Sequence, residues 1–158
     1  MSEAAVAIRR ASAADARPLA ELVRRLEGFD WLREEPGEDT TGRVAHHLAL
    51  CLADDSHSLY VAEASGRLAG YVSVHWLPYL ILRGPEGYVS ELFLAPDARG
   101  QGIGTQLIET VVAEARARGC YRLNLINNRA RESYRRDYYR KRGWEEREQA
   151  ASFVLVLQ

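Results

Sequence analysis

The chain has 158 residues, 47% of them hydrophobic and 27% charged, the proportions of a globular domain rather than of a disordered or fibrous chain. One domain spanning residues 1–158, with a substantial core, is expected at this length. A formal net charge of −1 supplies no overall attraction to nucleic acid or to an anionic membrane, so neither is expected as a partner.

The N-terminal stretch from Met1 to Ala5 lacks the basic start and apolar run of a secretory signal. No apolar stretch approaches the roughly 20 residues needed to span a bilayer. Cys51 and Cys120 have neither pairing nor metal-ligand spacing, so they read as small buried residues in a reducing, cytoplasmic compartment, and no metal is implied.

Val6 to Arg10 alternates enough for a first strand. Ser12 is a helix N-cap with Asp15 as the acidic member of a capping box, and Leu19, Leu22, Val23 and Leu26 follow at helical spacing until Gly28. Residues 28–39 read as a loop. Thr40 or Thr41 caps a second helix with Val44, His47, Leu48 and Leu52 on one face. Residues 59–63 and 68–74 flank Ser65-Gly66, a hairpin signal. Residues 88–94 form the next strand, which Pro96 stops. A helix then carries Ile103, Leu107, Ile108, Val111 and Val112 as its buried stripe and ends at Gly119. Residues 121–126 make a strand and 131–142 an arginine-rich helix closed by Gly143. Residues 153–157 make a last strand, paired with residues 144–149.

Between strand 88–94 and the helix lies Pro96-Asp97-Ala98-Arg99-Gly100-Gln101-Gly102-Ile103-Gly104. A helix N-terminus presents unpaired N–H groups and a positive dipole end, and glycines let the backbone approach an anion. Arg99 adds a charge-assisted donor. The residues by themselves describe an anion-binding turn. A dinucleotide fold needs Gly-x-Gly-x-x-Gly near its first strand, whereas this spacing is Gly100-x-Gly102-x-Gly104 past mid-chain. A phosphate-binding P-loop needs a Gly-Lys-Ser/Thr triplet, and the chain has none.

The segment Arg99-x-x-Gly102-x-Gly104 resembles the acyl-CoA signature of the Gcn5-related N-acetyltransferases (GNAT family). Its flanks, Leu92-Phe93-Leu94-Ala95-Pro96 and Gly104-Thr105-Gln106-Leu107-Ile108, and the later Tyr138-Tyr139-Arg140-Lys141-Arg142-Gly143-Trp144, are similar to that family too. The resemblance implies an α/β (α+β) fold with a mixed, mostly antiparallel seven-stranded sheet and about four helices. It implies acetyl transfer from acetyl-CoA to a primary amine by direct attack in a ternary complex. Pantetheine would lie against the backbone of Leu92, Phe93 and Leu94, and the pyrophosphate would meet Arg99, Gly100, Gln101, Gly102, Ile103, Gly104 and Thr105.

The same resemblance assigns Glu91 as base or substrate ligand and Tyr139 as the acid that protonates the leaving sulfur, with Tyr138 packed beside it. Many members place an asparagine about seven residues before that tyrosine. Here Glu132 holds the position, and Asn128, one helical turn earlier, is the alternative cofactor contact. The arginines at 129, 131, 135, 136, 140 and 142 read as a solvated helix face, with Glu132–Arg136 and Asp137–Lys141 at i,i+4 spacing.

On the acceptor side stand Phe29, Asp30, Trp31 and Glu34, then His75 and Tyr79. An acidic, aromatic rim suits a cationic amine. Acceptors in view are a small polyamine-like amine, which is favoured, an aminoglycoside-like compound, or a peptide N-terminus or lysine. Two other classes stay open, a non-catalytic acyl-CoA-binding module and a subunit of a larger assembly. A homodimer is compatible with the resemblance.

Overall fold

Residues 5–158 are described in a computed structural model of the chain; Met1 to Ala4, read above for a signal, lie outside them. The chain divides into two compact units, one up to Asn124 and the other from Leu125.

Five strands stand in sequence order across one sheet: β1 (Val6–Arg10), β2 (His57–Ala64), β3 (Arg67–Leu77), β4 (Glu86–Leu94) and β5 (Arg122–Leu125). The pairs β1–β2, β2–β3 and β3–β4 are antiparallel. Ser65 and Gly66 turn the β2–β3 hairpin with φ of 51° and 72°, the two left-handed residues that a type I′ turn requires.

Helices cover both faces. On one face lie α1 (Ala16–Arg24), the single turn α2 (Trp31–Glu34) and α3 (Gly37–Leu52); on the other lies α4 (Ile103–Ala117). The short α2 occupies part of the stretch expected as loop, and α3 begins three residues before Thr40. Thr40 is instead buried, where Arg24 of α1 donates to its Oγ1 (2.9 Å) and to the carbonyls of Leu32 (2.6 Å) and Glu35 (2.8 Å). One guanidinium thereby pins α2 and the start of α3 to α1.

The second face centres on Glu114 of α4. Its carboxylate accepts from Ser58 Oγ (2.8 Å), Tyr60 OH (2.8 Å), Arg10 Nη2 (2.7 Å) and Arg118 Nε (2.9 Å). Burial pushes its pKa up, and these donors outweigh burial, so the group stays below the usual carboxylate range.

Asp15 joins β1 to α1 as the capping-box reading expects. It accepts the Ser12 N–H (2.7 Å) and a two-pronged contact from Arg9 (2.8 and 2.9 Å). Arg9 holds the buried carboxyl below its ordinary pKa, against desolvation. A depressed pKa contributes stability above the unfolded value of about 4 and loses it as pH falls through the folded value. Asp15→Asn is expected to cost about 1.5–3 kcal/mol near neutral pH and to flatten the acid limb of a Tm-versus-pH curve. An unchanged acid limb would remove Asp15 from this role.

The second unit departs from expectation. The arginine-rich helix is one turn, α5 (Glu132–Arg135), followed by a 3-10 turn at Arg140–Arg142. Asp137 adopts φ of 54°, a left-handed residue that interrupts a helical ladder. Glu132 pairs with Arg136 at 3.4 Å as the spacing suggests, and Asp137 pairs with Arg140 at 3.4 Å.

The sixth and seventh strands are not formed among the described residues, so the sheet has five strands, and the α-helices number five rather than four. Phe153 to Leu157 are 75–92% exposed and without a ladder partner. Glu146, within the stretch expected to pair with them, is held by Arg129 (2.7 Å), Tyr134 OH (3.1 Å) and Arg140. No helix among the described residues is long and apolar enough to cross a membrane.

Candidate active site

A one-residue irregularity in β4 sets the direction of Glu91. In the β3–β4 register, Val74 faces Val89 but Ser73 faces Glu91, leaving Ser90 without a partner. Paired residues share a sheet face and consecutive residues alternate. Val89 therefore lies on the α4 face with Val74, and Glu91 on the opposite face with Ser73. In a regular strand Val89 and Glu91 would share a face; the bulge at Ser90 turns Glu91 away from α4 towards α1 and α3. Ser90 Oγ bonds His75 Nε2 at 2.8 Å and lies 3.4 Å from the Ser73 carbonyl.

Glu91 opens into a cavity of about 240 Å³ between that sheet face and α1–α3. Helix α1 lines it with Leu19 and Val23, α3 with Val44, His47, Leu48 and Cys51, and the sheet with Leu59, Tyr71 and Phe93. Phe29 meets Phe93 edge-to-face with centroids 5.5 Å apart. Trp31 and Arg43 also line the cavity, the guanidinium 4.9 Å above the indole ring.

Glu91 is itself exposed, at the mouth of this cavity, with the apolar walls on its inner side. Desolvation raises its pKa above the ordinary carboxylate value, opposed by a hydrogen bond from Tyr71 OH (3.2 Å) and by His47. The same crowding drives the Tyr71 phenol far up, so Tyr71 remains a donor to Glu91. Burial, then Glu91, raises the Cys51 thiol, which keeps it un-ionised and a poor nucleophile. Cys51 and Cys120 are half-buried.

Beyond Glu91, β4 runs through Leu92, Phe93 and Leu94 to the glycine turn. Phe93 shares the face of Glu91, whereas Leu92 and Leu94 are opposite Val72 and Gly70 on the α4 side. After the 3-10 turn Pro96–Ala98, Gly100 and Gly102 take φ of 75° and 76°. A Cβ on either would meet nothing within 4 Å. The first backbone bond of α4 runs from Gln106 N–H to the Gly102 carbonyl at 3.1 Å, so the N–H groups of Ile103 and Gly104 precede the helical ladder. Such a turn can receive an anion. The end of α1 is tied to it by Arg25–Asp97 (3.6 Å) and by Glu27–Arg99 (3.0 Å), while Gln101 Nε2 donates to the Asp97 carbonyl at 2.9 Å.

The acceptor-side residues separate. Phe29 and Trp31 line the cavity beside Glu91. Asp30 is exposed and paired with Arg33, and Glu34 is exposed outside the lining. His75 stands edge-on to His57 (centroids 4.4 Å apart) near the end of β3, where burial, then His57, lowers its pKa. Tyr79 is exposed in the loop after β3.

In the second unit, the Tyr139 ring stands edge-on to Tyr138 (5.0 Å) and Trp144 (5.7 Å). Burial, then Tyr138, pushes its pKa up to about 12. Asn128 accepts the Ala130 N–H at 2.9 Å, so its carbonyl oxygen closes a local turn.

Sequence reasoning missed Tyr71, Arg24, Arg43 and the pairing of Glu35. Arg43 clamps both oxygens of Glu35 (2.6 and 2.9 Å), and Thr40 donates to one of them (2.8 Å). Tyr71 carried one available signal, its place two residues from Ser73 on one face of β3.

A model of the acetyltransferase (GNAT) family matches residues 20–144. An uncharacterized N-acetyltransferase of Methanocaldococcus jannaschii is 30% identical over 65% of this chain and 46% of its own length. The thialysine N-epsilon-acetyltransferase of Bos taurus is 27% identical over 88% of this chain and 89% of its own. Among solved structures, a transcriptional regulator from Bacillus halodurans C-125 superposes with a TM-score of 0.81 at 22% identity, covering 96% of this chain and 100% of that one. At that identity the likeness is one of fold.

Proposed function

This chain belongs to the acetyltransferase (GNAT) family and is an acyltransferase, and from that premise we propose that it transfers the acetyl group of acetyl-CoA to a primary amine. The transfer is direct, within a ternary complex, and the acceptor is a small cationic amine. The observation that carries this reading is Glu91. A bulge turns it into an apolar cavity, with its pKa raised, on the strand that leads to an anion-binding glycine turn.

The chain's residues fit acetyl-CoA as co-substrate. Gly100 and Gly102 leave room for a pyrophosphate at the start of α4. Arg99, whose partner Glu27 is exposed, can exchange that partner for a phosphate. Gln101, Ile103, Gly104 and Thr105 complete the turn, and the backbone of Leu92 to Leu94 offers groups to the pantetheine amides. Asn128 keeps its amide NH2 for a cofactor contact.

An alkylammonium has a pKa near about 10 and must lose a proton before it attacks. Glu91 attracts the ammonium and takes that proton, directly or through a water. The amine nitrogen then bonds the thioester carbonyl carbon as the carbon–sulfur bond breaks, the departing thiolate takes a proton from Tyr139, and the acetylated nitrogen gives up its second proton, which restores the Tyr139 phenol through water. A phenol held at about 12 is neutral at pH 7 and can donate. Two unpaired cysteines suit a cytoplasmic setting.

The test is an amine panel with acetyl-CoA, reading free thiol, beside CoA binding by calorimetry. Saturable thiol release is expected, and Tyr139→Phe is expected to lower kcat about 10²-fold. A folded protein that binds no CoA and releases no thiol with any amine would sink the proposal; unchanged turnover in Tyr139→Phe would remove that residue from the acid role.

A further inference from the structure

The cavity beside Glu91 narrows the acceptor class, on the premise that the chain is an acetyl-CoA:amine acetyltransferase. Among the described residues that line it, Glu91 is the one carboxylate. Of the residues that would make an acidic rim, Asp30 pairs with Arg33, Glu35 with Arg43 and Glu38 with Arg17, and Glu34 is exposed outside the cavity lining. A second ammonium entering the cavity would find no free carboxylate and would meet Arg43, whose guanidinium lies against Trp31.

The remainder of the wall is aliphatic and aromatic. Val23, Val44 and Leu48 face the sheet side chains Tyr71 and Phe93, with Phe29 closing edge-on against Phe93. Such a wall gains by covering hydrocarbon and loses by desolvating a charge or hydroxyl that it cannot pair. Aromatic walls add edge-to-face contact with a ring. The volume, about 240 Å³, lies below the roughly 300–1,000 Å³ of sites for drug-sized ligands, so a multi-ring aminoglycoside body would stand largely outside this space.

We propose that the acceptor is a small primary monoamine with an apolar, aromatic-bearing body, its single ammonium on Glu91 and its body in the α1–α3 cavity, rather than a di- or polyamine. The acetyl balance is that of the parent reaction: one carbon–nitrogen bond forms, one carbon–sulfur bond breaks, and two protons leave the ammonium nitrogen, one through Glu91 to solvent and one to balance the proton placed on the CoA sulfur.

The full chain would be assayed with acetyl-CoA against phenethylamine, 3-methylbutylamine, 1,4-diaminobutane and spermidine, reading thiol release. The expected kcat/KM for phenethylamine exceeds that for 1,4-diaminobutane by about 10- to 100-fold, as burial of a ring against apolar walls implies. Val44→Phe, which fills the cavity, is expected to shift preference from phenethylamine towards 3-methylbutylamine by about tenfold, chiefly through KM. Equal or better turnover of the diamine or spermidine overturns the monoamine assignment while leaving amine acetylation standing. A preference unmoved in a folded Val44→Phe overturns the placement of the body in this cavity. Thiol release with none of the amines, together with no CoA binding, overturns the parent reaction and this inference at once.

Discussion

Replacing Glu91 by Gln is expected to lower kcat/KM at pH 7 by about 10²- to 10³-fold and to change the shape of its pH dependence. The magnitude follows from the acceptor. An amine of pKa about 10 is neutral to roughly one part in 10³ at pH 7, and a positioned base is worth about 10²–10⁴. With Glu91 ionised, the enzyme can take the abundant ammonium and remove its proton. The profile for kcat/KM should then be flat between the pKa of Glu91 and that of the amine. Because desolvation raises Glu91, the acid limb should fall at a pH above the ordinary carboxylate range: activity is lost as pH drops through that raised value and the carboxyl becomes neutral. Gln keeps the shape and the Tyr71 contact but cannot accept the proton. The variant should accept only neutral amine, so its log kcat/KM should climb with unit slope up to the amine pKa and show no acid limb of its own. A variant profile that parallels the parent's would show that Glu91 binds without acting as base. Tyr71→Phe should move the acid limb upward, since the donated hydrogen bond favours the charged carboxylate.

The parts of this arrangement that rest on local rules were legible in the sequence. Ser12 and Asp15 announced their capping box, Ser65-Gly66 its hairpin, and Gly100 and Gly102 their left-handed turn. Each is fixed by a few adjacent dihedrals, so adjacent residue types carry the information. The acceptor cavity was legible only in part. Phe29 and Trp31 stand out in the sequence as aromatic residues in a loop, but the partners of most charges around them do not. Asp30–Arg33 is a local i,i+3 pair, but Arg24 reaches Thr40 across 16 residues, and Arg43 of α3 turns back to clamp Glu35. Those pairings depend on how α1, α2 and α3 fold back on each other, which no window of sequence contains. The bulge at Ser90 was equally silent, because register belongs to two strands at once. The terminal strands failed for the same reason in reverse: Phe153 to Leu157 has strand composition, yet a strand exists only with a partner. Asp137 shows a further limit, since a helix-compatible run was interrupted by one left-handed residue.

Gly102→Ala is expected to weaken CoA binding by about 10- to 100-fold, and Gly66→Ala, a matched control, to leave it unchanged. The two glycines carry nearly the same backbone strain, with φ of 76° and 72°, and a Cβ on either would meet nothing within 4 Å. Alanine at either should therefore lower stability by a similar amount, about 1–2 kcal/mol. The chain itself has no use for the space over Gly102 that it lacks for the space over Gly66. Their surroundings differ: Gly66 closes a hairpin, while Gly102 is the N-cap of α4, ahead of N–H groups outside the helical ladder. If a pyrophosphate sits there, a methyl group at residue 102 holds it away from one or two charge-assisted hydrogen bonds, each worth about 1.5–3 kcal/mol. Thermal unfolding would confirm that both variants fold, and calorimetry with CoA would separate them. Equal CoA affinity in the two folded variants would mean that Gly102 serves the geometry of the turn alone, and the anion would have to be sought elsewhere along β4. A loss confined to Gly102→Ala, smaller for pantetheine than for CoA, would locate the pyrophosphate at the start of α4.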